Sequence, residues 1–111
     1  MKRGEVWTVC GGDYAGKPRP AVVLQDDRFD ATSSITVCPF TTDLADAPLF
    51  RLSIEPTEQN GLRAATRMMV DKVTTVPRAR LGSRMGRISD EDLMRLNRAV
   101  VVFLGLVGAR S

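Results

Sequence analysis

Polar and apolar residues alternate along most of the chain, and turn-forming residues interrupt the alternation at short intervals. Gly4-Glu5-Val6-Trp7-Thr8-Val9-Cys10 has the two-residue period of a half-buried strand. A second strand is predicted from Arg19 to about Gln25. The third is Ile35-Thr36-Val37-Cys38-Pro39-Phe40-Thr41-Thr42, where Pro39 signals an edge or a bulge because proline donates no ladder hydrogen bond. Leu49 to Ile54 forms the fourth, with Phe50, Leu52 and Ile54 on one side. The fifth, about Ala65 to Val73, puts Met68 and Val70 on one face and Arg67, Met69 and Asp71 on the other. Val76 to Leu81 reads as a connector and Gly82 to Ile88 as a final strand. The intervening stretches carry turn chemistry: a glycine-rich loop over Gly11 to Lys17, Asp/Ser/Thr-rich residues from Asp26 to Ser34, and Asn60-Gly61.

After Ser89 the period lengthens to that of a helix. Ser89 can cap the first turn, and Asp90, Glu91 and Asp92 complement the positive end of the helix dipole. Leu93, Leu96, Val100, Phe103, Leu104 and Val107 form one apolar stripe. Past Ala99 the helix is apolar nearly all round, which suits a subunit interface or a deeper place in the core. The fold class is therefore mainly β with a C-terminal α-helix: a small, strongly bent antiparallel sheet or partial barrel closed by that helix, in one domain over residues 1–111.

Composition refines this outline. Only 5% of the chain is aromatic, so Val, Leu, Ile and Met must build the core. The net charge is +3, unevenly spread. Arg63, Arg67, Lys72, Arg78, Arg80, Arg84 and Arg87 face one acid, Asp71, between Gly61 and Ile88, whereas Asp26 to Glu58 is acidic. A positive face of this kind suits RNA, DNA or an acidic protein. The opening Met1-Lys2-Arg3-Gly4-Glu5 does not resemble a signal peptide, and the apolar run Ala99 to Val107 is too short to span a bilayer. A cytoplasmic protein without a membrane partner is expected, with Cys10 and Cys38 as two thiols.

The chain contains no histidine, which excludes Ser-His-Asp catalysis, histidine acid–base pairs and imidazole metal sites. The acids concentrate in turns, and no metal or cofactor is expected. Arginine is a poor base but a good bidentate clamp for phosphate, and threonine can donate to the same oxygens. Such a pair suffices for phosphoryl transfer if the substrate carries its own nucleophile, as RNA does in its 2′-OH. Pro18 and Pro20 hold the backbone around Arg19 extended, so Arg19 is either a stiffly mounted phosphate clamp or an exposed strand-end charge.

Four segments together suggest a family. Arg3-Gly4-Glu5-Val6-Trp7, then Gly16-Lys17-Pro18-Arg19-Pro20-Ala21-Val22-Val23-Leu24, then Val37-Cys38-Pro39-Phe40-Thr41-Thr42, and finally Met69-Val70-Asp71-Lys72-Val73 resemble the MazF/PemK (Kid) toxins in order and spacing. The resemblance implies an SH3-like antiparallel barrel of the MazF/CcdB kind, a homodimer and a cognate antitoxin. It also implies metal-independent cleavage of single-stranded RNA by 2′-OH attack, leaving a 2′,3′-cyclic phosphate and a 5′-OH. The family's catalytic arginine falls on Arg19 and its catalytic threonine on Thr41; Lys17, Gln25, Thr42, Thr66, Arg67 and Asp71 are expected to bind RNA. In the PemK branch an arginine two residues before the acid and a histidine in the first loop are implicated, whereas this chain has Met69 and no histidine.

Two rival readings share the fold. A CcdB-like gyrase-binding toxin would depend on an aromatic C-terminal tail, and this chain ends Val107-Gly108-Ala109-Arg110-Ser111. A non-catalytic SH3-like RNA-binding module would offer stacking aromatics, of which one Trp, one Tyr and four Phe provide few.

Overall fold

The computed structural model describes residues 1–11, 17–44 and 46–106. The strands are β1 (Glu5–Val9), β2 (Arg19–Val23), β3 (Ser34–Thr41), β4 (Arg51–Ile54), β5 (Thr66–Met69), β6 (Thr74–Pro77) and β7 (Leu81–Arg87), followed by the helix α1 (Asp90–Phe103). All the pairings are antiparallel, in the order β4-β5-β3-β2-β1-β7, with β6 added to β3.

The third strand organises the sheet. Its first half, Ser34 to Val37, pairs with β6; Val37 to Pro39 pairs with β2; Phe40 and Thr41 pair with β5. Pro39 falls between the β6 and β5 ladders, where neither supplies a partner, so its missing N–H interrupts no pairing on that side. The proline predicted to mark an edge or bulge thus marks the point where β3 passes from one partner to another.

The two faces of the sheet carry separate apolar clusters. On the inner face Val6, Val22, Cys38, Phe40, Ile54, Met68 and Ile88 pack with Leu96 and Ala99 of α1. On the outer face Val9, Ala21, Val23, Ile35, Val37 and Val76 pack with Trp7 and Leu81 at their margin. At roughly 1.5–3 kcal/mol for each fully buried aliphatic side chain, both clusters contribute substantially to stability. Helix α1 begins as its sequence indicates, Ser89 Oγ accepting from the Asp92 amide at 3.1 Å. Leu96 is fully buried, but Val102, Phe103 and Leu104 are exposed, so the apolar end of α1 is not core.

A turn, rather than a ladder, ties the β4 end of the sheet to β7. The amide of Arg87 donates to the Gln59 carbonyl at 2.9 Å. Asn60, 2% exposed, holds the turn together: its Oδ1 accepts from the amides of Thr57 and Leu62, and its Nδ2 donates to the Glu55 carbonyl. Gly61 and Gly86 make the contact possible, because a Cβ on Gly61 would lie 2.1 Å from the Met85 carbonyl oxygen and one on Gly86 2.3 Å from that of Gln59.

Two expectations need correction. The fifth strand stops at Met69, and Val70–Lys72 forms a 3-10 turn. The stretch beginning at Val76 is not only a connector: Thr74–Pro77 is a strand, paired with β3. Most of the glycine-rich loop read over Gly11 to Lys17, and Val107 of the helical stripe, lie outside the described residues.

Candidate active site

Register places the candidate residues on one face. Ala21 pairs directly with Pro39, and Arg19 and Thr41 lie two residues beyond that pair on their respective strands. Alternation then puts Arg19, Ala21, Pro39 and Thr41 on the same side of the sheet. Arg67 pairs with Thr41 and shares that side. Arg19 is exposed at the mouth of β2, between Pro18 and Pro20. Thr41 is held at both ends: its Oγ1 accepts from the Asp43 amide at 3.1 Å, and its carbonyl accepts from the hydroxyl of buried Thr66.

Two hollows adjoin this face. The smaller, about 30 Å³, lies among Val9, Ala21, Val37 and Val76 next to Arg19. The larger, about 580 Å³, is lined by Pro39, Met69, Asp71, Lys72, Val73 and Thr74. Pro39 and Thr74 line both, so the two are neighbours.

The acid in the larger hollow is paired. Arg51 Nε and Nη2 donate to the two carboxylate oxygens of Asp71 at 2.6 and 2.9 Å, with both side chains 19% exposed. The ladder explains the reach, because Arg51 stands opposite Met69 and the 3-10 turn brings Asp71 round to it. The guanidinium fork holds the Asp71 carboxyl below the usual carboxylate range, chiefly by hydrogen bonding. Burial, reinforced by the nearby Asp71 charge, pushes the Cys38 thiol up to about 12, so Cys38 is no nucleophile at neutral pH.

The Asp71 shift fixes a pH dependence. A lowered folded-state pKa contributes stability that is present above the unfolded value and lost as pH falls through the folded one. Asp71→Asn should therefore lower Tm at neutral pH, and its deficit should shrink below about pH 4. Thermal melts of both proteins across that range test this; a deficit independent of pH would contradict it.

The remaining predicted residues divide. Lys17 and Thr42 are exposed beside Arg19 and Thr41 in the chain. Gln25 lies past the opposite end of β2 from Arg19, its amide donating to the Phe29 carbonyl and Thr32 hydroxyl and accepting from the Thr36 amide. Thr66 points to the inner face, where it braces Thr41. Arg67 and Asp71 do not share a continuous strand face, since the strand ends between them. Sequence reasoning did not single out Arg51, Lys72 and Thr74. Arg51 was signalled only as the charged residue alternating with Phe50 and Leu52, and its partner depends on a ladder register that the long turn conceals.

The family profile of the "PemK-like, MazF-like toxin of type II toxin-antitoxin system" matches residues 2–104. The chain is 54% identical, over 97% of its length and all of the relative's, to the "Probable endoribonuclease MazF" of Mycolicibacterium smegmatis. It is 32% identical, over 96% of its length and 98% of the relative's, to "Endoribonuclease MazF9" of Mycobacterium tuberculosis. A solved mycobacterial endoribonuclease in complex with its cognate antitoxin has the same fold, with a TM-score of 0.78 at 20% identity, covering 98% of this chain and 99% of that one. A match over almost the whole chain, with the strand order and the arginine- and threonine-bearing face already in place, makes this chain a member of the PemK-like, MazF-like toxins of type II toxin–antitoxin systems.

Proposed function

We propose that the chain is the endoribonuclease of such a module, a cytoplasmic toxin that cuts single-stranded RNA without a metal ion. The observation that carries this is the placement of Arg19 and Thr41 at the same end of one sheet face, each two residues beyond the Ala21–Pro39 pair. The RNA 2′-hydroxyl gives up its proton to solvent and its oxygen bonds to the adjacent phosphorus as the bond to the 5′-oxygen breaks; the 5′-oxygen takes up a proton from solvent, leaving a 2′,3′-cyclic phosphate and a 5′-OH. Arg19 offers its fork to the non-bridging oxygens, where negative charge concentrates, and the Thr41 hydroxyl donates beside it. Thr66 acts through Thr41, by bonding its carbonyl. Lys17, Thr42 and Arg67 extend the binding face along the strand.

The protein works as a homodimer and is silenced by an acidic antitoxin. Exposed Val102, Phe103 and Leu104 offer apolar surface to a second copy. The positive face that draws RNA draws an acidic segment equally, and a structural relative is described with its cognate antitoxin. No helix among the described residues is long and apolar enough to cross a membrane. Incubation with mixed-sequence RNA in EDTA should give fragments with cyclic phosphate and 5′-OH ends. A strict requirement for a divalent ion, or 5′-phosphate ends, would overturn the mechanism.

A further inference from the structure

Beside the face that carries Arg19 and Thr41 lies the larger hollow, and we propose that it receives a nucleobase with Asp71 as the reader: the carboxylate accepts an N–H from a base carrying an exocyclic amine and disfavours uracil. This rests on the nuclease reading above.

Size separates the two hollows. That next to Arg19, about 30 Å³, has room for roughly one water and none for a base. The larger, about 580 Å³, falls in the range of ligand clefts. Because Pro39 and Thr74 line both, a strand with a phosphate at Arg19 has a neighbouring nucleotide at the larger one. Its lining has the parts a splayed-out base needs: Pro39, Met69 and Val73 against the ring faces, Lys72 for the backbone, and Asp71 as the one carboxylate among the described lining residues.

A lone carboxylate in an RNA groove would repel phosphate. Asp71 does not act alone, because the Arg51 fork neutralises it and fixes its plane. Each carboxylate oxygen has more than one acceptor position, and Arg51 takes one on each. Acceptor capacity therefore remains for a ligand, on an acid that the same fork keeps ionised. Adenine N6, cytosine N4 and guanine N2 are donors that satisfy it, whereas uracil sets a carbonyl oxygen where cytosine has its amine.

The test compares wild type, Asp71→Asn and Arg51→Met on a randomised RNA pool, with cut sites mapped. Wild type should discriminate against uracil by about tenfold or more at one position near the cut. Asp71→Asn, which presents an amide donor, should accept uracil there. Arg51→Met should melt at lower temperature and, with the carboxylate neither neutralised nor held in plane, cut more slowly at every sequence, but it should not come to accept uracil, since the carboxylate remains. Uniformly slower cutting by Asp71→Asn with an unchanged profile would overturn the proposal, as would a gain of cutting at uracil in Arg51→Met equal to that in Asp71→Asn. If wild type cuts no RNA, the nuclease reading falls separately. Binding of uncleavable 2′-O-methyl oligonucleotides that differ by cytosine or uracil then decides the subsite, and equal affinities in wild type would reject it.

Discussion

Replacing Arg19 with alanine should slow the cutting of single-stranded RNA by about a hundred- to a thousandfold, the usual effect of removing one donor aimed at developing charge. The fold should survive. Arg19 is exposed, and Pro18 and Pro20 continue to dictate the backbone path without it. Stability should therefore change by no more than about 0.5 kcal/mol, as for other surface substitutions. If the guanidinium stabilises charge that appears only in the transition state, kcat and kcat/KM should fall together. Arg19→Lys should restore only part of the loss, because an ammonium supplies charge without the bidentate fork. Single-turnover assays on one defined oligonucleotide separate these variants, and undiminished cutting by Arg19→Ala would sink the assignment.

Gly86→Ala should lower stability sharply. The added Cβ would lie 2.3 Å from the Gln59 carbonyl oxygen and 2.6 Å from the Asn60 carbonyl carbon, both backbone atoms that no rotamer change can move. The turn must back away from β7, and the Arg87 amide then loses the Gln59 carbonyl. Overpacking of this kind costs about 3 kcal/mol, which for a domain of this size lowers Tm by more than about 10 °C. Gly82→Ala is the useful comparison, since its nearest neighbour at 2.5 Å is the Thr8 hydroxyl, a side-chain atom, at an exposed site. Equal Tm values for the two variants would show that the turn yields more readily than its contacts indicate.

What could be read from the sequence was whatever depends on near neighbours. Ser89 and the three acids after it define the start of α1 because capping is settled within one turn. The alternation of Phe50, Leu52 and Ile54 located β4 to within a residue or two. Thr74–Pro77 escaped because a short, proline-ended tract becomes a strand only through its partner, β3, some forty residues earlier. The same holds within the site. Arg19 and Thr41 were legible as motif residues, but the Arg51–Asp71 pair arises from a ladder register and a 3-10 turn that no local pattern encodes. Thr66 was legible as a residue and not as a direction: only the structure turns it inward to the Thr41 carbonyl.

The way β3 shares its edges has a consequence for how the molecule forms. Its three partners are drawn from segments that begin at Arg19 and end at Pro77, so the strand bearing Thr41 is fully framed only once that whole span has come together. Pairings between such distant segments must meet the entropy of loop closure before they return any stabilisation, which places this chain among the slower folders of its size. The face that carries Arg19 and Thr41 is therefore complete only when all three partners are in place, and a chain that stops short of β6 carries both residues without the full frame of β3.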